Sequence, residues 1–158
     1  MKRLLMLFFT AVLALSFPLS VAAKQQVEDA EVLKSEVVRD FGEMLDLWKE
    51  GNYSELYNRT LISGKDTKES FSKRMASARL KPSCCWEKMQ EVSVRVKSPT
   101  SVVISAKLGL DAAGEMEYKT KSFKLNREDS KWRIARSEIL SLAEAKKSNG
   151  SRKHRVTR

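Results

Sequence analysis

The strongest structural signal in the chain is the stretch VSVRVKSPTSVVISAKLGL, residues 92–110. Valines alternate with polar residues before Ser98-Pro99-Thr100, and apolar residues recur at every second position after it. A period of two places alternate side chains on opposite faces of a β-strand. The residues between the two runs are typical of a tight turn. This stretch therefore predicts two antiparallel strands that share one buried face.

Two further strands are expected after this hairpin. Ala113-Gly114 is suited to a two-residue turn before the third strand. Glu128-Asp129 is suited to the turn before the fourth. The apolar markers of these last two strands are Phe123, Leu125, Trp132 and Ile134. The sequence thus predicts a four-stranded antiparallel meander.

The positions of the turns also predict a register. We expect Val96 to lie opposite Val102 across the first turn. Ile104 then lies opposite Phe123, and Phe123 lies opposite Ile134. All of these side chains fall on the same face of the sheet. A one-residue slip at any turn would place charged residues in the core.

A helical period precedes the sheet. Over residues 27–50, apolar residues recur at three- and four-residue steps, and Gly51 suits a left-handed C-terminal cap. Shorter helices are expected over residues 53–61 and 66–78, the latter with Asp66 as its N-cap. We therefore predict an α+β fold, with one long and two short N-terminal helices packed on a curved four-stranded antiparallel meander.

Residues 1–23 have the features of a signal peptide. Lys2 and Arg3 precede an apolar run over residues 4–15, and Val21-Ala22-Ala23 supplies small residues for cleavage. The run is shorter than the roughly 20 residues of a membrane-spanning helix, so no stable membrane span is expected. We predict a periplasmic or secreted protein whose mature domain covers residues 24–145.

The positive charge of the chain is concentrated at its ends. Of the formal net charge of +10, Lys2 and Arg3 supply 2 and residues 146–158 supply 6, which leaves +2 for residues 24–145. Nucleic-acid binding is not expected, because it requires a basic footprint on a folded face. We interpret residues 146–158 as a basic, disordered and solvated tail. The alternative is that this tail touches anionic surfaces.

Two motifs resemble a known superfamily. LWKEGNYSELY, residues 47–57, ends a long helix at a tryptophan and continues through a glycine turn into a short helix. KWRI, residues 131–134, is similar to the family's closing strand. With the predicted order of elements, the chain resembles the NTF2-like superfamily, the cystatin-like α+β cone, over about residues 31–140. The resemblance implies a concave sheet over the long helix, with a pocket at the open end. Because the superfamily includes isomerases, dehydratases, binding proteins and dimerisation modules, it informs the fold more than the function.

The residues that usually carry catalysis are sparse. His154 is the only histidine and belongs to the basic tail, so a histidine base, a Ser-His-Asp triad or a histidine metal site is not expected in the domain. The histidine-dependent dehydratases of the superfamily are therefore not supported. We expect no catalytic residue, no metal and no cofactor. An isomerase that uses an acid and a tyrosine stays open as an alternative.

Cys84 and Cys85 are the only two cysteines. Their Cα atoms are held about 3.8 Å apart, whereas ordinary disulfides span about 4.4–6.8 Å. A vicinal bridge would therefore be strained and easily reduced. Three states remain open: buried thiols, a vicinal disulfide, or an intermolecular disulfide.

Beyond its apolar layers, the predicted sheet carries polar residues at the open end of the cone. In the expected register Lys121 faces Arg136, and two adjacent cations there can hold a carboxylate. The predicted ligand-binding residues are Lys121, Arg136, Gln90, Glu138, Tyr57 and Trp86. We therefore predict a small, non-catalytic binding domain for an anionic or amphipathic ligand. The alternatives are a homodimeric protein-interaction module, an isomerase- or dehydratase-type enzyme, and a structure in which these charges are simply solvated.

Overall fold

The computed structural model describes residues 19–61 and 66–144, with side chains from residue 29. Most of the predicted signal peptide and the whole of the predicted basic tail lie outside these ranges. The chain divides into two compact units between Glu36 and Val37. Within the described ranges, no helix combines the length and the apolar character that a bilayer crossing requires.

The described part of the first unit belongs to helix α1, Leu19–Lys49. The helix begins eight residues before the expected start at residue 27, and inside the predicted leader. Residues 19–26 do not carry the apolar stripe, but they include Ala, Lys and Gln, which are good helix formers. In this unit Lys34 Nζ lies 2.6 Å from Glu31 Oε1, one turn away on the helix.

The second unit begins with the rest of α1 and continues through two short helices. Gly51 follows α1 with φ of +78°, the left-handed conformation expected for a glycine cap. Helix α2 is Tyr53–Asn58, where the Asn52 side chain accepts a hydrogen bond from the Glu55 amide. Helix α3 is Lys68–Ala76. The prediction of Asp66 as its N-cap was wrong by one residue, because the Thr67 hydroxyl accepts from the Ser70 amide.

The sheet is open, curved and mixed, and it has six strands. The strands are β1 Thr60–Leu61, β2 Lys81–Pro82, β3 Gln90–Ser98, β4 Ser101–Ala112, β5 Glu115–Glu128 and β6 Lys131–Ala135. The predicted meander corresponds to β3–β6, but the count of four strands and the purely antiparallel arrangement were wrong. β1 pairs with β6 in parallel, and β2 pairs with β4. Strands of two residues are too short to show a period of two in the sequence.

The register of the meander was predicted correctly at the first two turns. Val96 lies opposite Val102, and Ile104 lies opposite Phe123. The third pairing was wrong by two residues, since Ile134 lies opposite Leu125 rather than Phe123. The cause is the position of the turn, which is formed by Asp129 and Ser130, one residue later than the predicted Glu128-Asp129. Both turn residues have positive φ, 49° and 60°, as two-residue hairpin loops require. A shift of two leaves every side chain on its expected face.

The chain leaves the sheet after Ala135 and forms helix α4, Arg136–Ala143. The prediction that Arg136 and Glu138 continue the fourth strand was therefore wrong. Four apolar residues of α4 are buried, namely Ile139, Leu140, Leu142 and Ala143. Their burial at steps of three and four residues explains why the segment is helical.

Helix α1 supplies much of the core on the inner face of the sheet. Its buried side chains in the second unit include Val37, Phe41, Met44, Leu45 and Trp48. The Phe41 and Phe123 rings lie 5.1 Å apart between centroids, joining α1 to β5. A buried ion pair adds a polar link, because Asp40 lies 3.3 Å from Arg59 and also accepts a hydrogen bond from the Trp132 amide.

Candidate ligand-binding site

A cavity of about 450 Å³ lies beside helix α4. Helix α3 contributes Arg74, and Asp66 lies just before that helix. The full lining is Asp66, Arg74, Arg136, Ser137, Leu140, Ser141 and Glu144. Six of the seven lining residues are therefore polar or charged, and Leu140 is the one large apolar side chain.

Arg136 is the most constrained residue of this cavity, with only 2% of its surface exposed. Its guanidinium lies over the ring of Tyr57, 4.1 Å from the ring centroid. Nη1 donates a hydrogen bond of 2.8 Å to the Asp66 carbonyl, and Nε lies 3.4 Å from Thr60 Oγ1. The Tyr57 hydroxyl donates to the same Asp66 carbonyl. These contacts fix the plane of the guanidinium before any ligand arrives.

The third guanidinium nitrogen of Arg136, Nη2, is buried and has no hydrogen-bond partner among the described residues. No described carboxylate forms an ion pair with Arg136. A buried donor without a partner is unfavourable, and more so when it carries charge. In folded proteins such groups are explained by strain, by a functional role, or by a bound water or ion.

Arg74 and Glu144 form the rim of the cavity. Arg74 Nε and Nη2 donate bonds of 2.9 and 3.1 Å to the two carboxylate oxygens of Glu144. These bonds are the main reason that the pKa of Arg74 is raised and the pKa of Glu144 is lowered. Asp66 lies 3.8 Å from Arg74. The two arginines and two carboxylates of the lining therefore balance in formal charge.

Lys121 does not face Arg136, because Arg136 lies on α4 rather than on the fourth strand. Lys121 Nζ instead lies 2.6 Å from Glu138 Oε2 and 3.1 Å from Ser141 Oγ, which lines the cavity. The structure thus brings together two pairs of the predicted site residues, Arg136 with Tyr57 and Lys121 with Glu138. The charge of Lys121 is matched by Glu138, whereas no carboxylate in the described part of the chain pairs with Arg136.

Two other predicted site residues lie apart from this lining. Gln90 begins β3 opposite Lys107, and Trp86 belongs to the 3₁₀ turn Cys85–Lys88 with 72% of its surface exposed. The cavity residues that sequence reasoning missed are Asp66, Arg74, Ser137, Leu140, Ser141 and Glu144. The helical spacing of the apolar residues in α4 could have indicated part of this set. No sequence signal connects Arg74 to Glu144, because 70 residues separate them.

Several other polar groups have partners, but five further buried side-chain atoms of the described residues have no hydrogen-bond partner: Trp48 Nε1, Arg59 Nε, Ser83 Oγ, Trp132 Nε1 and Arg133 Nε. The buried acid Asp40 is held by Arg59 and the Trp132 amide, and it does not line the cavity. Tyr57 lies next to Arg136, and its hydroxyl donates a hydrogen bond to the Asp66 carbonyl. No group of three metal-ligating side chains occurs among the described residues. Cys84 and Cys85 are exposed and form no disulfide, so of the three alternatives left open the buried thiols are not observed.

The fold and this cavity define an α+β domain in which helices pack on a mixed sheet and a buried arginine borders a small cavity. No family model and no curated protein matches the chain. Similar solved structures include a protein described as "Putative Scytalone Dehydratase" from Novosphingobium aromaticivorans, with a TM-score of 0.49 and 10% identity over 68% of this chain and 83% of that one. An NTF2-like protein with a cystatin-like fold from the same species has a TM-score of 0.49 and 9% identity, over 75% of this chain and 86% of that one.

Proposed function

We propose that this chain is a binding domain for a small ligand, and that Arg136 holds an anionic group of that ligand. The observation that carries the proposal is the buried guanidinium of Arg136, which has one unpaired nitrogen and belongs to a residue that lines a cavity of about 450 Å³. The volume falls within the range of about 300–1,000 Å³ that is usual for small-molecule sites.

The geometry of Arg136 suits a carboxylate or a phosphate. Both groups accept parallel hydrogen bonds from the planar guanidinium fork. Because Tyr57, Thr60 and the Asp66 carbonyl already fix the side chain, binding costs little side-chain entropy. Since Nη2 is buried, a ligand oxygen reaches it only after a small side-chain movement at the cavity wall.

The charge balance of the lining restricts the kind of ligand further. Because two arginines face two carboxylates, long-range attraction of anions is weak, and affinity depends on the direct hydrogen bonds to Arg136. Leu140 offers apolar contact in the same cavity. We therefore infer an amphipathic ligand with a single anionic group rather than a highly charged one. Binding should depend only weakly on salt.

The proposed setting is outside the cytoplasm. The leader-like residues 1–23 support export, which would place the mature domain in the periplasm or the medium. The resemblance to the NTF2-like superfamily agrees with a binding role, because that superfamily includes binding proteins. The same resemblance also allows an enzyme, so the assignment rests on the cavity rather than on the family.

Native mass spectrometry of the mature protein from Lys24, followed by denaturing spectra, tests this function. We expect a bound mass that is lost on denaturation and that identifies the ligand. With that ligand, R136K and R136M should each weaken binding by at least about tenfold, the effect of losing one charge-assisted hydrogen bond. R95A is the matched control, since Arg95 is exposed on the outer face of β3. Unchanged affinity in R136M, with an unchanged melting temperature, would contradict the proposal.

A homodimeric interaction module is the second candidate. Met116 and Tyr118 on the outer face of β5 are both large, apolar and nearly half exposed. Lys107 Nζ lies 5.2 Å from the Tyr118 ring centroid, so a cation–π contact orients the Tyr118 side chain on this face. The same native spectra separate the candidates, because a dimer without bound ligand favours the interaction module.

A further inference from the structure

Cys84 and Cys85 lie outside the cavity and play no part in the proposed function. Both residues are exposed, and their Sγ atoms lie 2.9 Å apart without a covalent bond. We propose that they form a reversible vicinal dithiol–disulfide site, which exchanges with disulfide-bearing oxidants. The site is open to reagents, since neither thiol is covered and the adjacent Trp86 is also exposed.

The backbone around the two thiols is fixed on both sides. The Ser83 amide donates a 2.9 Å hydrogen bond to the Gly109 carbonyl, and Lys88 Nζ lies 2.6 Å from Asp46 of α1. Cys85 itself has φ of +59°, a left-handed conformation that is uncommon for residues other than glycine. The sulfur atoms are therefore held in contact by an anchored turn rather than meeting by chance in a mobile loop.

The hydrogen bond between the thiols assigns them different roles. The Cys85 thiol donates to Cys84 Sγ, and this bond is the main reason that the pKa of Cys85 is raised. Because Cys85 is the donor of this hydrogen bond, we assign Cys84 Sγ, the acceptor, as the attacking sulfur. Because the thiolate is the nucleophile, Cys84 attacks first and Cys85 resolves.

The exchange is balanced in atoms and electrons. The Cys84 thiolate attacks one sulfur of the oxidant disulfide, which breaks that S–S bond and releases one thiolate. The Cys85 thiol then loses its proton to solvent and attacks Cys84 Sγ, which displaces the second thiolate. Two electrons pass to the oxidant, which ends as two thiols, and the protein gains one S–S bond.

The product should be easy to reduce. Adjacent Cα atoms are held about 3.8 Å apart, below the spacing of about 4.4–6.8 Å that an unstrained disulfide prefers. Strained and exposed disulfides have more oxidising potentials than structural ones. The pair is thus suited to exchange with a thiol buffer and unsuited to act as a permanent crosslink.

The test is incubation of the mature protein with reduced and oxidised glutathione in varied ratio, an acid quench, and intact mass measurement. We expect the wild type to lose two hydrogens, about 2 Da, as the oxidised fraction rises, without retaining glutathione. C85S should accumulate one glutathione on Cys84, because the resolving thiol is missing. C84S should react several-fold more slowly than C85S. Unchanged melting temperatures of both serine variants would show that the fold is intact.

Three results would overturn the proposal. The first is a wild-type chain that stays a dithiol in fully oxidised glutathione. The second is oxidation that yields mainly disulfide-linked dimers or a persistent glutathione adduct. The third is a C84S variant that reacts as fast as C85S, which would remove the distinct roles of the two thiols. None of these results depends on ligand binding at Arg136, so the two proposals can fail separately.

Discussion

Gly109 shows how a single missing side chain fixes local structure. A Cβ atom at this position would lie 2.4 Å from the Glu87 carbonyl oxygen and 2.8 Å from Ser83 Oγ. The turn that carries the cysteines can therefore pack against β4 only where the strand has a glycine. We expect G109A to lower the free energy of unfolding by about 1–3 kcal/mol, the usual cost of overpacking. Urea denaturation measures this loss.

A second glycine provides the control. Gly42 lies inside α1, where an added Cβ would have its nearest neighbours at 3.9 Å, an ordinary contact distance. G42A should therefore raise the free energy of unfolding by about 0.5–1 kcal/mol, because alanine favours the helix. If G42A lowered the free energy of unfolding as much as G109A, the loss would be a general response to an added methyl group. The close contact at Gly109 would then not be its cause.

The Arg74–Glu144 pair predicts a pH dependence with a definite sign. The pKa of Glu144 is lowered in the folded state, first by the hydrogen bonds from Arg74. Its contribution to stability is therefore present above the unfolded pKa and is lost as the pH falls through the lowered value. We expect E144Q to melt slightly below the wild type at pH 7, and this difference should shrink as the pH is lowered. The gap is small because both side chains are partly exposed. A difference in melting temperature that persists in acid would mean that packing, and not the Arg74–Glu144 ion pair, causes it.

At the scale of elements, helix α1 is held to the sheet by large apolar contacts. Phe41 is fully buried and packs on Phe123 of β5. F41A should cost about 3–5 kcal/mol of unfolding free energy, as expected for deleting a buried ring. V32A, at an exposed position of the same helix, should stay within about 0.5 kcal/mol of the wild type. Chemical denaturation of the two variants side by side checks the contrast.

The elements with a strong period were predictable from sequence, and those formed by distant pairing were not. The apolar stripe of α1 and the alternation in β3 and β4 follow directly from residue order, and the structure has both. β1 and β2 contain two residues each, so they exist only because β6 and β4 offer them hydrogen bonds. The sequence carried one sign that the chain leaves the sheet after Ala135, the helical spacing of the apolar residues in α4, which the strand prediction did not use.

The candidate site was predictable only in part, because it too depends on contacts between segments that are distant in the chain. Arg136 and Tyr57 were expected to contribute, and the structure brings the two together. Lys121 was expected to face Arg136, but a helix replaced the extended strand on which that pairing depended. Arg74 and Glu144 meet across 70 residues of chain, and local patterns carry no information on such contacts.

At the scale of the whole molecule, charge and core lie in different parts of the chain. Residues 146–158 contribute +6 to the formal net charge of +10, whereas the last buried residue of the described core is Ala143. We propose, as the alternative to a simply solvated tail, that these basic residues attach the protein to anionic surfaces. Each basic side chain near an anionic bilayer contributes about 1 kcal/mol, so six together are enough for measurable, salt-dependent attachment.

Truncation before residue 146 tests this division of roles. The shortened protein should keep its melting temperature and its Arg136-dependent ligand affinity, because the described core and cavity end before the deletion. Its binding to phosphatidylserine vesicles should fall steeply, and binding of the full chain should itself weaken as salt rises. A full-length variant with serine at the six basic positions of the tail, Lys146, Lys147, Arg152, Lys153, Arg155 and Arg158, is the matched control. If that variant still binds vesicles, attachment comes from another surface; if it melts lower, the tail also contributes to the fold.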